Sequence, residues 1–225
     1  MLYLYYLLVF IFIITITKFY YTEETTIKNK KILYLIAHPD DEIMFFYPSI
    51  NNLIKNNNLH LICLSNGNYE KLGEEREEEL HKVCKSLGIQ RLEILNFIDH
   101  QELFWNYNFI NELITDYLQK NEIDILITFD KDGISHHPNH ISCFYGIKNI
   151  ENINVMCNET VSIYRKFLMF FDIFNVQNNK ILFYNFNILN VIYYMCMHQT
   201  QLKWYRILFI IFSRYSYINS FQNIR

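Results

Sequence analysis

Two short blocks of the sequence hold most of the side chains that could bind a metal ion and move protons. Residues 37–42 read Ala-His-Pro-Asp-Asp-Glu, and residues 136–140 read His-His-Pro-Asn-His. A catalytic zinc ion takes three protein ligands, usually His nitrogens and carboxylate oxygens, and keeps a fourth position for water. His38, Asp41 and His140 supply such a set. They predict metal-assisted hydrolysis of an unreactive carbonyl, because the metal lowers the pKa of the attacking water.

Proton transfer needs further groups beside the metal, and the same blocks provide them. Asp40 is next to a ligand without having to be one, so it is the natural general base. His137 precedes His140 by three residues and shares its side of a helix start, where it could polarise the carbonyl and protonate the leaving amine. His136 precedes His140 by four residues and could also face the metal, so the choice of acid between these two histidines stays open.

The acidic residues of the first block also have an ordinary structural interpretation. Asp is a common helix cap, and acids in a first helical turn complement the helix dipole. Capping explains any one of the acids, and it is our interpretation of Glu42. It does not explain a block with one histidine and three acids together with a second block that has three histidines.

Each block directly follows a predicted strand. Residues 32–37 form the first of these strands and residues 123–129 the second, and a proline then opens the next helix in both cases. Ligands of open α/β sheets bind outside the carboxyl ends of the strands. We therefore expect the two blocks to face each other.

The remaining pattern alternates short apolar runs with helical segments, which is typical of parallel strands joined by right-handed crossovers. The sequence thus predicts a Rossmann-like α/β domain with a mainly parallel sheet. Further strands are predicted at 59–65, 92–97, 161–164 and 181–186, and helices at 43–56, 74–87, 109–120, 141–149 and within 188–212. The apolar run 207–212 fits either a core helix or a helix on a membrane surface.

The N-terminus is predicted to be a membrane anchor. Residues 2–17 carry no charge, and Lys18 is the first interruption. A cleaved signal peptide is the alternative, but no basic segment precedes the apolar run and no Ala-x-Ala site follows it. The chain is therefore predicted to consist of a membrane anchor at 1–21 and a catalytic domain at 22–225. Because lysines follow the span and none precedes it, the domain is expected in the cytoplasm.

Composition excludes several other classes. The 225 residues suit one domain, and a net charge of −3 without a long basic run argues against nucleic acid as a partner. The five cysteines form no CxxC pair and are interpreted as buried free thiols. No GxGxxG motif follows the first strand, so a dinucleotide-dependent oxidoreductase is poorly supported.

With these residues in view, the first block resembles the metal site of the LmbE-like family of N-acetylglucosaminyl deacetylases. Other segments, spread over nearly the whole chain, resemble the eukaryotic branch of that family. That branch acts on N-acetylglucosaminyl-phosphatidylinositol. They are Ser-Asn-Gly-Asn-Tyr at 65–69, Gly-Glu-Glu-Arg at 73–76, Thr-Phe-Asp at 128–130, Leu-x-Trp-x-Arg at 202–206 and Ile-Phe-Ser-Arg-Tyr at 211–215.

The resemblance implies a zinc-dependent enzyme that removes acetate from the lipid GlcNAc-phosphatidylinositol. This is the second step of glycosylphosphatidylinositol (GPI) anchor synthesis, on the cytoplasmic face of the endoplasmic reticulum membrane. Carried over by position, the resemblance makes His38, Asp41 and His140 the metal ligands and Asp40 the general base. It gives His137 a role in stabilising the transition state.

Two further positions each have a functional and a structural interpretation. Arg76 matches the substrate-contacting arginine of the family, and the alternative is an exposed helix charge paired with nearby glutamates. Asp130 is a candidate to hydrogen-bond a metal-ligating histidine and fix its orientation. The alternative is an acidic residue that only begins a loop. Bacterial relatives usually have His-Pro-Asp-His, and Asn139 replaces that aspartate here.

Three questions stay open on the sequence alone. The same ligand set also accepts iron, cobalt or manganese. The site chemistry fits hydrolysis of another N-acyl amino sugar or of a phosphoester. A non-catalytic membrane-bound scaffold that retains the fold is the alternative from a different class.

Overall fold

A computed structural model describes residues 2–22, 24–177 and 180–224. The described residues form one seven-stranded sheet in the order β3-β2-β1-β4-β5-β7-β6. Strands β1 to β5 pair in parallel, and β7 is antiparallel to both β5 and β6. The strands are β1 (Lys31–Ile36), β2 (Asn58–Cys63), β3 (Arg91–Ile94), β4 (Ile125–Phe129), β5 (Asn154–Asn158), β6 (Ile181–Tyr184) and β7 (Ile218–Asn223). The predicted α/β fold with a mainly parallel sheet is confirmed.

The α-helices of the described residues fall between these strands and before β1. They are α1 (Leu2–Tyr21), α2 (Asp41–Met44), α3 (Tyr47–Leu53), α4 (Gly73–Leu87), α5 (Tyr107–Asn121), α6 (Gly133–His136), α7 (Pro138–Ile147), α8 (Ile163–Lys166), α9 (Ile188–Met195) and α10 (Trp204–Phe212). A run of 3₁₀ helix at Met169–Asn175 follows α8.

The centre of the sheet explains where a site can form. Strand β1 pairs with β2 on one side and β4 on the other, with Ile32 opposite both Leu59 and Ile125. These strands are buried on both faces, which suits their continuous apolar runs. The chain runs from β1 to β2 and β3 on one side and then crosses back to β4 on the other side of β1. Because the strand order reverses there, a crevice opens at the carboxyl ends of β1 and β4.

Several predicted elements differ from the observed ones. The single helix expected at 43–56 is two helices, because Pro48 lacks an N–H and cannot sit inside a continuous helix. The strand expected at 161–164 is wrong, since residues 161–162 are not in a strand and residues 163–164 begin α8. Strands β5 and β7 were not predicted.

The N-terminal helix α1 is apolar and mostly exposed. Among the residues that the structure describes, α1 is the one helix long and apolar enough to cross a membrane, over Tyr3–Tyr21. Near its end, Phe19 is buried and packs edge-to-face on Tyr184 and Phe186. The end of α1 is therefore attached to the sheet domain through the β6 region.

Two composition-based expectations can also be checked. The five cysteines are free, and four are buried, whereas Cys196 is exposed. Helix α10 is a surface helix, because only Ile210 of its nine residues is buried. The interpretation of 207–212 as a core helix is therefore wrong for most of that run.

Candidate active site

The first block forms a tight loop between β1 and α2. Asp40 adopts a left-handed backbone conformation with φ 110°, which few residues other than glycine take up. Its backbone N–H donates to Glu42 Oε2 at 3.1 Å. Pro39 precedes the helix rather than opening it, since α2 begins at Asp41. The loop thus turns the side chains of the block toward the crevice.

The Asp41 carboxylate is held from behind by the backbone. Its Oδ2 accepts hydrogen bonds from the N–H groups of Ala37 at 3.1 Å and His38 at 2.8 Å. Its Oδ1 lies 3.3 Å from His140 Nε2. Burial alone would raise the pKa of Asp41, but His140, His38 and the hydrogen bonds lower it below its usual range. Asp41 is thus a fixed carboxylate with one oxygen directed at His140.

His140 is oriented by its other ring nitrogen. Nδ1 lies 3.1 Å from the Gly133 carbonyl oxygen, which can only accept, so Nδ1 carries the proton and Nε2 is a free lone pair. The ring stacks on Phe129 with 4.2 Å between centroids. Gly133 has φ +63°, and a Cβ there would lie 2.8 Å from the Cβ of His140. Only glycine fits this approach without displacing the histidine.

The predicted ligands His38, Asp41 and His140 come together and are all buried, with ligand atoms within 4.8 Å of one another. Asp41 Oδ1 and His140 Nε2 are both acceptors at 3.3 Å, an arrangement that favours a cation between them. Two zinc ligands in tetrahedral coordination lie about 3.4 Å apart, given bonds of about 2.0–2.1 Å. The buried Nε2 of His38 has Asp99 Oδ1 at 3.2 Å but makes no hydrogen bond of regular geometry. These residues fit a divalent metal.

A second group of potential ligands shares His38 and adds Asp99 and His137. Asp99 Oδ1 lies 3.2 Å from His38 Nε2, and its Oδ2 lies 3.8 Å from Arg76. Burial raises the pKa of Asp99, but His38 and Arg76 outweigh burial and lower it. The sequence reasoning missed Asp99, although it follows the predicted strand at 92–97 and the strand-end rule would have found it.

Two arginines flank the proposed base Asp40. Arg76 is buried, donates to the carbonyls of Pro39 at 2.8 Å and Gly67 at 2.9 Å, and lies 3.7 Å from Asp40 Oδ2. It is therefore not the exposed helix charge that was the alternative. Arg206 on α10 donates to the same Asp40 oxygen, and burial lowers the pKa of Arg206 to about 10. Arg206 was not identified as a site residue from the sequence.

The two candidate acids differ in their surroundings. The ring of His137 lies 5.0 Å from that of His38 and 5.3 Å from that of His140. Its Nδ1 accepts from the Asn139 N–H at 3.2 Å, so Nε2 carries the proton of the neutral ring. Burial and the neighbouring histidines lower the pKa of His137 to about 4. His136 is exposed at the rim of the cleft.

Asp130 supports the second block through its loop. Its Oδ1 accepts from the Gly133 N–H at 3.0 Å, and its Oδ2 accepts from the Thr160 N–H at 2.6 Å. Gly133 in turn receives the His140 hydrogen bond. Asp130 therefore acts on His140 through the backbone that carries Gly133, one step further away than predicted.

A buried pair beneath the first block connects it to the C-terminal part of the chain. Glu42 Oε1 lies 2.5 Å from His198 Nε2, and both side chains are fully buried. The other Glu42 oxygen holds the backbone of Asp40. Glu42 is thus a supporting residue, as expected, but its partner His198 lies 156 residues away along the chain.

The site opens into a cleft of about 1100 Å³ with two unlike sides. The polar floor is formed by the histidines and aspartates of the two blocks, with Asp99 and Arg76. A largely apolar wall adjoins this floor and comes from Phe167 and from α10, through Tyr205, Leu208, Phe209 and Phe212. The cleft therefore suits a ligand with a polar reacting group and an apolar portion.

Comparison with known proteins agrees with this site. Residues 33–150 match the family model PIG-L, GlcNAc-PI de-N-acetylase. A protein of Dictyostelium discoideum, described as a probable N-acetylglucosaminyl-phosphatidylinositol de-N-acetylase, is 32% identical over 90% of this chain and 96% of its own length. The N-acetylglucosaminyl-phosphatidylinositol de-N-acetylase of Bos taurus is 30% identical over 85% of this chain and 83% of its own.

Solved structures show the same fold at low identity. The N,N'-diacetylchitobiose deacetylase of Pyrococcus horikoshii matches 86% of this chain and 83% of its own with a TM-score of 0.60 and 16% identity. A deacetylase of teicoplanin biosynthesis matches 86% and 98% with a TM-score of 0.60 and 11% identity. On the family match and the extent of the sequence similarity, the chain belongs to the PIG-L family of GlcNAc-PI de-N-acetylases.

Proposed function

We propose that this protein hydrolyses the N-acetyl group of GlcNAc-phosphatidylinositol, giving glucosaminyl-phosphatidylinositol and acetate, the second step of GPI-anchor synthesis. The observation that carries the proposal is the buried trio of His38, Asp41 and His140 at the floor of a cleft that also has a largely apolar wall. The trio suits amide hydrolysis, and the wall suits a substrate with acyl chains. Family membership supports the choice of this lipid.

The metal ligands in this proposal are His38, Asp41 and His140, and the ion is Zn²⁺. When bound, the metal supplies a Lewis acid that lowers the pKa of the attacking water and polarises the acetamide carbonyl. The chain fixes the ligands beforehand, since Asp41 is held by two backbone N–H groups and His140 by the Gly133 carbonyl. Such support would orient the ligands and raise the affinity for the metal.

Asp40 and His137 handle the protons. Asp40 takes the proton of the attacking water, and the arginines beside it favour its ionised form. His137 presents its Nε2 proton to the acetamide oxygen, because its Nδ1 accepts from the backbone. As the C–N bond breaks, the amine nitrogen takes up the proton that Asp40 received, and His137 assists its departure by holding the former carbonyl oxygen. His136 lies exposed at the rim and is not given a role in the chemistry.

Substrate recognition is assigned to the two arginines of the cleft. Arg76 is locked by two backbone carbonyls and is suited to orient the sugar ring beside Asp40. Arg206 stands where the polar floor meets the apolar wall. A phosphodiester between a sugar head and acyl chains would meet a guanidinium at that boundary, and arginine binds phosphate in a bidentate manner.

Membrane attachment completes the proposal. Residues 1–21 form a transmembrane anchor in the endoplasmic reticulum membrane, and residues 22–225 form the catalytic domain on the cytoplasmic side. The length and composition of α1 support the span. The lysines that follow the span support the orientation.

The test is acetate release by the purified full chain in lipid nanodiscs. We expect release from GlcNAc-phosphatidylinositol, loss after treatment with a chelator, and recovery with Zn²⁺. Parallel reloading with Fe²⁺, Co²⁺ and Mn²⁺ compares the metals. A second arm offers soluble N-acetyl amino sugars, and faster release there would replace the lipid by another substrate. No acetate from any metal-loaded sample would contradict the enzymatic function.

A further inference from the structure

The charge of the chain is divided unevenly between its two parts. Residues 1–159 contain 13 Lys and Arg against 22 Asp and Glu, a net charge of −9. Residues 160–225 contain seven Lys and Arg against one acid, Asp172, a net charge of +6, and the two values add up to the total of −3. The single acid is buried and paired with Arg165 and Arg214. Arg206 and Lys180 are paired with Asp40 and Glu159 of the first part, so Lys203 at the start of α10 is the exposed cation among the described residues of this part.

Exposed apolar side chains are concentrated in the same part. On α8 and the turn after it, Tyr164 is 84% exposed, Ile163 59% and Phe167 46%. On α10, Trp204 is 76% exposed, and Leu208 and Phe212 are nearly half exposed. The rings of Phe167 and Phe209 lie 6.2 Å apart and join the two helices. We call these exposed residues the α8–α10 face, comprising Ile163, Tyr164, Phe167, Trp204, Leu208 and Phe212.

The composition around this face is that of a membrane interface rather than of a protein contact alone. Helix α10 begins after Lys203, which is exposed, and continues with Trp204 and Tyr205. Trp and Tyr concentrate at the depth of lipid headgroups, and Lys reaches from there to the phosphates. A helix with an apolar face and basic residues lies in the plane of an anionic bilayer.

The position of α1 agrees with this assignment. Helix α8 and the end of α1 both pack on the 3₁₀ helix Met169–Asn175. Phe19 of α1 is buried against Tyr184 and Phe186. The helix most suited to cross a membrane is thus attached to the same side of the domain that carries the α8–α10 face. Because Phe167, Leu208 and Phe212 also line the cleft, the face includes the rim of the active site.

We propose that the α8–α10 face docks on the surface of an anionic bilayer and holds the mouth of the cleft against the lipid. This inference deepens the proposed function and rests on it for the lipid substrate, whereas docking itself can be measured without turnover. A lipid headgroup could then reach the polar floor while its acyl chains stay in the bilayer. Removal of a whole phospholipid into water would not be needed.

The first experiment uses the tryptophans of the full chain as reporters. The sequence has two, and Trp105 is buried whereas Trp204 is exposed. The protein is placed in nanodiscs that contain phosphatidylserine and phosphatidylcholine, with acyl chains either brominated or not. We expect bromine to quench the emission of the wild type and not that of Trp204→Phe. Equal emission of the wild type in both nanodiscs would overturn the proposal, since the face would then lie in water.

The second experiment relates docking to turnover. Tyr164→Glu and Trp204→Glu are compared with Phe109→Glu, which places the same charge at an exposed aromatic position on α5. We expect acetate release from membrane-embedded substrate to fall about tenfold in the first two variants, the effect of losing burial of one aromatic side chain. Release from a soluble analogue without acyl chains, and the control variant, should be unchanged.

The outcomes separate the two proposals. If the wild type releases no acetate but Trp204 is quenched, the proposed function fails and docking stands. If acetate is released while Trp204 is not quenched, docking fails and the proposed function stands. Equal activity of all three variants on the membrane substrate would also overturn docking. Circular dichroism of each variant checks that the fold is retained.

Discussion

Residues 31–147 and residues 154–223 build one sheet in two different ways. The first region alternates parallel strands with helices, and its strand-end loops supply the polar floor of the cleft. In the second region, β7 lies between β5 and β6 and is antiparallel to both. This region also supplies the apolar wall and Arg206. In the proposed function, the first region thus supplies the metal ligands, the base and Arg76, and the second supplies the parts of the cleft that suit a lipid. Changes in the first should therefore lower kcat on any substrate, and changes in the second should act on lipid substrates.

The largest expected effect follows removal of a metal ligand from the first region. Asp41→Ala leaves His38 and His140 without the third ligand, so we expect loss of bound metal and a fall in activity of at least about 10³-fold, several kcal/mol of transition-state stabilisation. Metal content by mass spectrometry and acetate release check this. A variant that keeps one metal ion per chain would show that Asp41 is not a ligand.

Replacing the base should lower turnover without loss of the metal. For Asp40→Asn we expect full metal content and a kcat reduced roughly 10²–10⁴-fold, the usual contribution of a general base. The same reduction should appear on lipid and on soluble substrates, because the change affects the reaction itself. Loss of metal from Asp40→Asn would instead make Asp40 a ligand.

The second region is tested by Arg206→Ala. We expect the KM for lipid substrate to rise about tenfold, the value of one charged hydrogen bond. The KM for a soluble analogue without phosphate should change little, and Lys85→Ala, a change to an exposed cation on α4, is the control. An equal fall of kcat on both substrates would show that Arg206 acts through Asp40. Arg206 would then affect the reaction itself, like the residues of the first region, and not the binding of lipid.

The smallest effect sharpens the role of backbone geometry in the first region. Gly67 and Gly88 both have positive φ, so alanine at either costs about 1 kcal/mol of stability. A Cβ at Gly67 would lie 2.3 Å from the Arg76 guanidinium, whereas at Gly88 the nearest atom is 3.9 Å away. We expect both variants to melt earlier and only Gly67→Ala to lose activity, about tenfold. Equal activities would mean that Arg76 has no part in turnover.

Most of the first region could be predicted from its sequence because local pattern and fold agree there. Strands β1, β2 and β4 are continuous apolar runs, and helices α4 and α5 have the expected period. Strand β5 was not predicted because its residues Asn-Val-Met-Cys-Asn show no alternation of apolar and polar side chains and no enrichment in β-branched residues. Strand β7 is rich in polar residues, and its buried Asn219 is paired with Phe45 and Ser49 far along the chain. Only tertiary contacts make these segments strands.

The same division holds for the site. His38, Asp41 and His140 were predictable because two strand ends place them, and the structure brings them together. His198 and Arg206 carry no such signal. Each reaches the first block from a helical part of the C-terminal region, across more than 150 residues of chain. Their roles depend on packing that no local pattern encodes.

The position of β7 has a consequence for biosynthesis. Strand β7 lies between β5 and β6 and pairs with both, so β6 has no strand partner among the described residues until 218–223 are in place. A chain emerging from the ribosome at about 5–20 residues per second exposes these unpaired edges for seconds. Such edges are prone to aggregation. We therefore expect chaperones to bind the nascent chain at this stage, and truncation before 218 to yield insoluble protein.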